Sequence, residues 1–308
     1  MPENPADETA EPSSFADLHG FLNAGSIPAG LIEIQHHGLP IEILNLPAES
    51  DITLVCFHGA AEADVRLPWF LGQGVTAGLP VSRIFISDPS LRISHDFNLA
   101  WYAGSRFQPD LQETLAVVVR RIVEETGGHN VVFFGSSAGG YASLALSRFF
   151  PISLALAVNP QISISRFYSG AVERYLTHAW GVEGKEMDGL PASVTHDLVP
   201  AYSAGFDHTV ALIQNAKDWF HIQNHQLPFV DAVGESDSLF MLMDRWGPDS
   251  GDGHIPPPKE LLRACFEVLA TCNGDWSKAL VEFGFQAETT RRHVKQRVMD
   301  TAPAATAS

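Results

Sequence analysis

Residues 131–146 read VVFFGSSAGGYASLAL, and this run decides the fold. Residues 131–134 are wholly apolar, as expected of a strand buried on both faces. Gly135-Ser136-Ser137-Ala138-Gly139 follows at once, and residues 142–149 then carry a helical pattern. A Gly-x-Ser-x-Gly between a buried strand and a helix puts its central serine on a tight turn, with the side-chain oxygen raised above the sheet. Small residues at 135 and 139 let strand and helix approach closely enough for that turn. The helix that starts after Ser137 also aims free N–H groups at negative charge developing there. Ser136 precedes the centre of the motif and is the weaker nucleophile. A glycine-rich strand-to-helix turn also occurs without any chemistry, but the flanking strand and helix favour the nucleophile.

Outward from this run, strands and helices alternate. Residues 31–35 and 41–46 read as two short strands joined at 37–40, and 52–57 (ITLVCF) and 83–87 (RIFIS) as buried strands. Residues 110–125 carry an apolar stripe of Leu111, Leu115, Val118, Val119 and Ile122, closed by Gly127-Gly128. Strands are expected again at 152–158, 209–214 and 238–243, and helices over 256–269 and on to about 298. Such alternation predicts an α/β fold, a mainly parallel sheet with helices on both faces. No strand is evident over 161–207, where aromatic residues recur. A connection that long is rarely structureless, so it reads as a helical cap insertion over Ser137. Residues 1–25 and 301–308 read as disordered tails around one domain, 26–300.

An acylating serine needs a base, an acid and donors for the oxyanion. The strand 52–57 leads into His58-Gly59-Ala60-Ala61. The oxyanion donors expected are the backbone N–H groups of Ala138 and of Gly59 or Ala60, with His58 shaping the loop. Asp218 follows the strand 209–214 and His254 the strand 238–243, both where an open α/β sheet gathers its site. They are the expected acid and base. Asp237 precedes its strand and lies at the wrong end; Asp244, at a strand's end, is the stronger rival. The loop Asn159-Pro160-Gln161 offers no carboxylate.

Asp218, His221 and His225 have the spacing of three metal ligands on one helix face. HIQNH lacks the glutamate of HExxH, however, and no cysteines cluster, so no metal and no cofactor are expected. His221 and His225 then read as surface, capping or pocket-lining residues. Asp88-Pro89 reads as a turn, and His36-His37 as exposed.

The composition bounds the partners. Of 308 residues, 45% are apolar, and 19 basic side chains stand against 36 acidic ones, for a formal charge of −17. That balance repels phosphate backbones and anionic lipid, so neither nucleic acid nor membrane insertion is expected. No Lys or Arg precedes Arg66, which reads as a solubilising bias. The first residues lack the marks of a secretory signal, and Cys56, Cys265 and Cys272 suit reduced, packed thiols; both point to a cytoplasmic protein. The stretch from Phe285 carries Arg291, Arg292, Lys295 and Arg297, read as a solvated helix face. Oligomeric state is not legible.

In order, HGA (58–60), GSSAG (135–139), NAKD (215–218) and GDGH (251–254) resemble the α/β-hydrolase superfamily over roughly residues 31–269. The resemblance implies an α/β-hydrolase fold and a serine hydrolase that cleaves an ester or related acyl compound through an acyl-enzyme, with Ser137, Asp218 and His254 as triad. Acyl transfer to a glycan or other alcohol uses the same constellation, and a non-catalytic accessory or binding protein would keep the fold without turnover. LAWYAGSRFQ (99–108), AVNPQ (157–161), DWFHIQNHQLPF (218–229) and GHIPPP (253–258) are similar to uncharacterised members associated with cell-surface glycan and capsule assembly. That similarity implies a context and no particular substrate.

Overall fold

The computed structural model describes residues 11–62, 65–184, 186–248, 250, 253–287 and 290–302. Among them one mixed sheet is formed by β1 (Ser13–Phe15), β2 (Gly30–His36), β3 (Leu39–Leu46), β4 (Ile52–Phe57), β5 (Ser82–Ile86), β6 (Asn130–Ser136), β7 (Leu154–Val158), β8 (Thr209–Asn215), β9 (Leu239–Asp244) and β10 (Gln286–Ala287). Their spatial order is β1-β2-β3-β5-β4-β6-β7-β8-β9-β10. The block from β5 to β9 is parallel throughout. Antiparallel pairs join β2 to β3, β3 to β5 and β9 to β10.

The apolar runs follow from burial on both faces. Along β4, Val55 and Phe57 enter one core while Ile52, Leu54 and Cys56 enter the other; in β6, Val131 and Phe133 part from Val132 and Phe134 in the same way. The period of two therefore survives inside sequences that look uniformly apolar. Helices Leu111–Thr126 and Ala138–Ser147 cover the first face; Lys259–Leu269 and Trp276–Phe283 cover the second.

Residues 161–207 are largely helical, with Ser169–Tyr175, a π turn Leu176–Trp180 and Leu198–Ser203. They bury Tyr175, Leu176, Leu198 and Tyr202 in the core that also holds Tyr141 and Leu111. The segment packs on the helical layer of the first face, where Gln112 Nε2 donates to Thr195 O and Tyr202 Oη to Leu144 O, while Gln161 at its start reaches Ser137 Oγ at 2.7 Å.

Several expectations need correction. Residues 11–25 are not a disordered tail: Phe21 is fully buried, Phe15 packs edge-on against it at 5.2 Å, and β1 pairs with β2. These few apolar anchors outweigh the acidic composition around them. Residues 1–10 and 303–308 lie outside the described residues. His36 is buried, and its backbone carbonyl accepts from Gln108 at 2.8 Å. Asp88 is buried as well and caps the 3-10 turn Pro89–Arg92. Cys272 is only half-buried, just beyond the helix that carries the buried Cys265, so it is less packed than expected.

Candidate active site

β6 ends at Ser136 and the next helix starts at Ala138, so Ser137 alone makes the turn, at φ 59° and ψ −116°. This is strained backbone for a side chain with a Cβ. The Ser137 N–H donates to Val158 O at 2.9 Å, and its carbonyl accepts from Tyr141 and Gln161 at 3.1 and 3.2 Å. The glycines on either side are a packing requirement. A Cβ on Gly135 would collide with the Gly139 backbone, and one on Gly139 would lie 2.5 Å from Phe57 O. Any side chain at either position would push the helix off the sheet.

The loops after β8 and β9 bring the other two residues to this turn. His254 Nε2 is 3.0 Å from Ser137 Oγ, and His254 Nδ1 is 2.6 Å from Asp218 Oδ2. Ser137, His254 and Asp218 therefore meet at one end of the sheet, with the histidine between the other two. Burial alone would raise the Asp218 pKa, but the hydrogen bonds it accepts from His221 and His254 outweigh it and hold the carboxyl at about 2. Asp244, by contrast, is exposed and accepts from the Arg245 N–H.

Backbone contacts fix this spacing. Asn159 and Asn215 both donate to Ile255 O, at 3.0 and 3.3 Å, and Asn215 N–H donates to Asn159 Oδ1 at 2.7 Å. Gly253, at φ 78°, packs so tightly on Lys217 and Asp218 that a Cβ there would overlap their peptide. Residues 251–252 of the expected GDGH stretch lie outside the described residues.

On the other side of the turn stands the loop after β4. A Cβ on Gly59 would lie 3.6 Å from Ser137 Cβ. His58 Nε2 accepts from the Asp88 N–H at 3.0 Å, so the proton sits on Nδ1, which donates to Gly59 O at 2.7 Å. Burial keeps the His58 ring neutral, with its pKa pushed down to about 4. The Gly59 carbonyl is thereby turned toward the ring, and across a trans peptide the Ala60 N–H points the opposite way. Tyr102 completes the support: its Oη accepts from the His58 N–H at 3.0 Å and donates to Ile86 O at 2.8 Å. Its backbone N–H donates to Asp88 at 2.7 Å, while burial pushes the Asp88 carboxyl up to about 6. Ala138 is the first helical residue, so its N–H has no intrahelical acceptor. Beyond this loop a cavity of about 350 Å³ is lined by Ala61, Glu62, Arg66, Arg92, His95 and Asn98 among others.

Two further residues stand at this site: Gln161, which was not expected there, and His221, for which pocket lining was one of the expected roles. Gln161 Nε2 donates to Ser137 Oγ at 2.7 Å, and its Oε1 accepts from Trp101 Nε1 at 2.7 Å. His221 Nδ1 is 2.8 Å from Asp218 Oδ1, and its ring stacks on His254 at 3.9 Å. The signal existed: Gln161 follows the strand next to β6, where any polar side chain stands beside the turn, but only carboxylates were sought there. His225 does not join Asp218 as a metal ligand set; its Nδ1 accepts from the Ile162 N–H at 3.2 Å, and burial above all holds its pKa at about 3. Ligand-type atoms of Asp218, His221 and His254 do lie within 4.8 Å of one another, but these atoms already satisfy one another as hydrogen-bond partners. Among the described residues no helix is long and apolar enough to cross a membrane.

Residues 92–194, about a third of the chain, match the model of an uncharacterised protein family (UPF0227). No curated protein matches the sequence. Solved structures do. The capsule O-acetyltransferase of Neisseria meningitidis serogroup A aligns over 81% of this chain and 98% of its own, with 13% identity and a TM-score of 0.55. An S-formylglutathione hydrolase from Agrobacterium tumefaciens aligns over 82% and 98%, with 11% identity and a TM-score of 0.51. The acylaminoacyl peptidase of Pyrococcus horikoshii aligns over 80% of this chain and 42% of its own, with 10% identity and a TM-score of 0.52.

Proposed function

This chain has the α/β-hydrolase fold, and on that premise we propose that it is a serine hydrolase acting on an ester or related acyl compound through an acyl-enzyme. The observation that carries the reading is the continuous contact Ser137 Oγ–His254 Nε2 and His254 Nδ1–Asp218 Oδ2, at 3.0 and 2.6 Å, on a strained strand-to-helix turn. His254 takes the Ser137 proton as Oγ attacks the acyl carbon and returns it to the leaving group. Asp218, ionised and buried, holds the Nδ1–H tautomer and stabilises the imidazolium. The N–H groups of Ala138 and of Gly59 or Ala60 receive the oxyanion. Water then releases the acyl group by the same steps.

A second reading is favoured by the likeness to the capsule O-acetyltransferase: an alcohol, such as a glycan hydroxyl, replaces water as acceptor. Either chemistry needs the same serine. A fluorophosphonate probe should label the protein, with peptide mapping finding the adduct on Ser137; failure to label folded protein would leave a binding or accessory role. Partition of an activated acetyl ester between water and an added sugar alcohol separates hydrolysis from transfer. Exhaustive chelation should leave turnover unchanged, since every step uses side chains and backbone alone.

A further inference from the structure

We propose that Gln161 is a further catalytic residue, and that Trp101, Gln161 and His221 close the triad into a ring of hydrogen bonds that points the serine proton at His254. The proposal rests on the serine-hydrolase reading and deepens it. The ring runs from Ser137 Oγ to His254 (3.0 Å), to Asp218 (2.6 Å), to His221 (2.8 Å), to Gln161 (3.3 Å) and back to Ser137 (2.7 Å).

Each direction in this ring is forced by the one before it. An indole N–H can only donate, so Trp101 fixes Gln161 Oε1 as the acceptor and Nε2 as the amide nitrogen. The amide's two protons then go to Ser137 Oγ and to His221 Nε2. His221 Nε2, being an acceptor, leaves the ring proton on Nδ1, which donates to Asp218 Oδ1. Asp218 Oδ2 receives the His254 Nδ1–H, so His254 Nε2 is an acceptor. Ser137 Oγ, already accepting from Gln161, is left to donate to that nitrogen. Trp101, Gln161, Asp218 and His221 are all at most 1% exposed, so water does not compete for these bonds.

Gln161 follows β7 and the oxyanion loop follows β4, on opposite sides of β6. Its amide therefore addresses the attacking oxygen and not the carbonyl oxygen. During acylation the Oγ proton passes to His254 Nε2 and the Oγ–C bond forms. The leaving-group oxygen takes that proton as its bond to carbon breaks. Gln161 and His221 exchange no proton; the amide stays on Oγ as negative charge rises there, and His221 is a positioning residue that holds Asp218 by its second oxygen.

The test combines probe labelling with low-field proton NMR of the full chain. Labelling of wild type at Ser137 tests the serine-hydrolase reading itself, whereas the ring is read from the variants and the spectrum. Gln161→Leu should slow labelling and kcat roughly tenfold or more with KM little changed, the loss of one hydrogen bond to a group that becomes charged. Gln161→Glu has the same shape but turns a donor into an acceptor, and should be at least as slow. A mere packing role would leave Gln161→Leu, which fills a similar space, near wild type. The wild-type spectrum should show two low-field imidazole N–H resonances with a carboxylate acceptor, from His254 and His221, apart from that of His58, whose acceptor is the Gly59 carbonyl. His221→Phe, which keeps a stacked ring, should delete one and shift the other. Gln161→Leu and Gln161→Glu both indistinguishable from wild type in labelling would overturn the role of Gln161. A wild-type spectrum with one such resonance, unmoved in His221→Phe, would overturn the ring even if a variant at 161 did not fold.

Discussion

The helix Ala138–Ser147 carries a serine–histidine pair at each end, and only the first has the surroundings that the proposed chemistry needs. At its start, Ser137 Oγ lies 3.0 Å from His254 Nε2; at its last residue, Ser147 Oγ lies 3.0 Å from His208 Nε2. Distance does not separate them. Ser147 is wholly buried and its hydroxyl also donates to Leu144 O at 3.1 Å. His208 shares the same nitrogen with Tyr202 Oη at 2.9 Å. Burial first, then the charge of Arg148, hold its pKa near about 4, so it stays neutral and is a poor proton acceptor. Ser137 stands at the positive end of the helix dipole and Ser147 at the negative end, where an alkoxide is opposed. Behind His254 is a carboxylate; His208 meets a tyrosine on the very nitrogen that faces the serine. The pair becomes a site through the acid behind it and the helix end on which it sits.

The comparison breaks if the second pair matters to turnover. Ser137→Ala should abolish labelling and lower kcat by several orders of magnitude, on the order of a million-fold in comparable units. Ser147→Ala should leave both intact. The acid sharpens the contrast next: Asp218→Asn should cost roughly a hundredfold or more in kcat, while Asp244→Asn should be silent. Matched kinetics of the four variants on one activated ester decide both points.

A smaller effect concerns stability against pH. His58, His208 and His225 have native pKa values lowered from 6.5 to about 4, 4 and 3. Below pH 6.5 the unfolded chain binds protons that the native one refuses, so stability falls as pH drops from about 6.5 toward 4. Asp88, raised from 3.8 to about 6, has the opposite sign, since its ionisation opposes the fold as pH rises through that window, and so does Glu42, raised by burial; His36, lowered by burial, joins the three histidines, so two groups stand against four. Asp218, lowered from 3.8 to about 2, contributes stability above 3.8 that is lost only as pH falls toward 2. Calorimetry should therefore give a lower Tm at pH 5 than at pH 7. His208→Gln should reduce that difference without touching labelling.

What could be read in the sequence was whatever one local pattern determines. The uniformly apolar 52–57 and 131–134 became β4 and β6, and the glycines at 135 and 139 imposed the turn at Ser137. Asp218 and His254 followed from their place after successive strands. Gln161 escaped, and His221 was left among several roles, because their contacts depend on side chains meeting across separate loops, and an amide has no titratable signature. Residues 11–25 were misjudged for a related reason: composition averaged over the segment hid Phe15 and Phe21, whose partners are far away in the chain. His36 and Asp88 were misplaced because neighbours such as Gln108 and Tyr102 are joined to them only by the fold.

The positive φ of Ser137 has a consequence for folding as distinct from rate. Any residue with a Cβ at φ 59°, ψ −116° is held in a conformation that glycine enters freely. Ser137→Ala keeps that strain, whereas Ser137→Gly relieves it. The glycine variant should be more stable than the alanine variant by about 1 kcal/mol once glycine's greater unfolded-state freedom is counted. Both variants lose the Oγ hydrogen bonds to Gln161 and His254, so the difference between them reads the backbone alone. Their two melting temperatures measure what the fold gives up to hold a side chain at this turn.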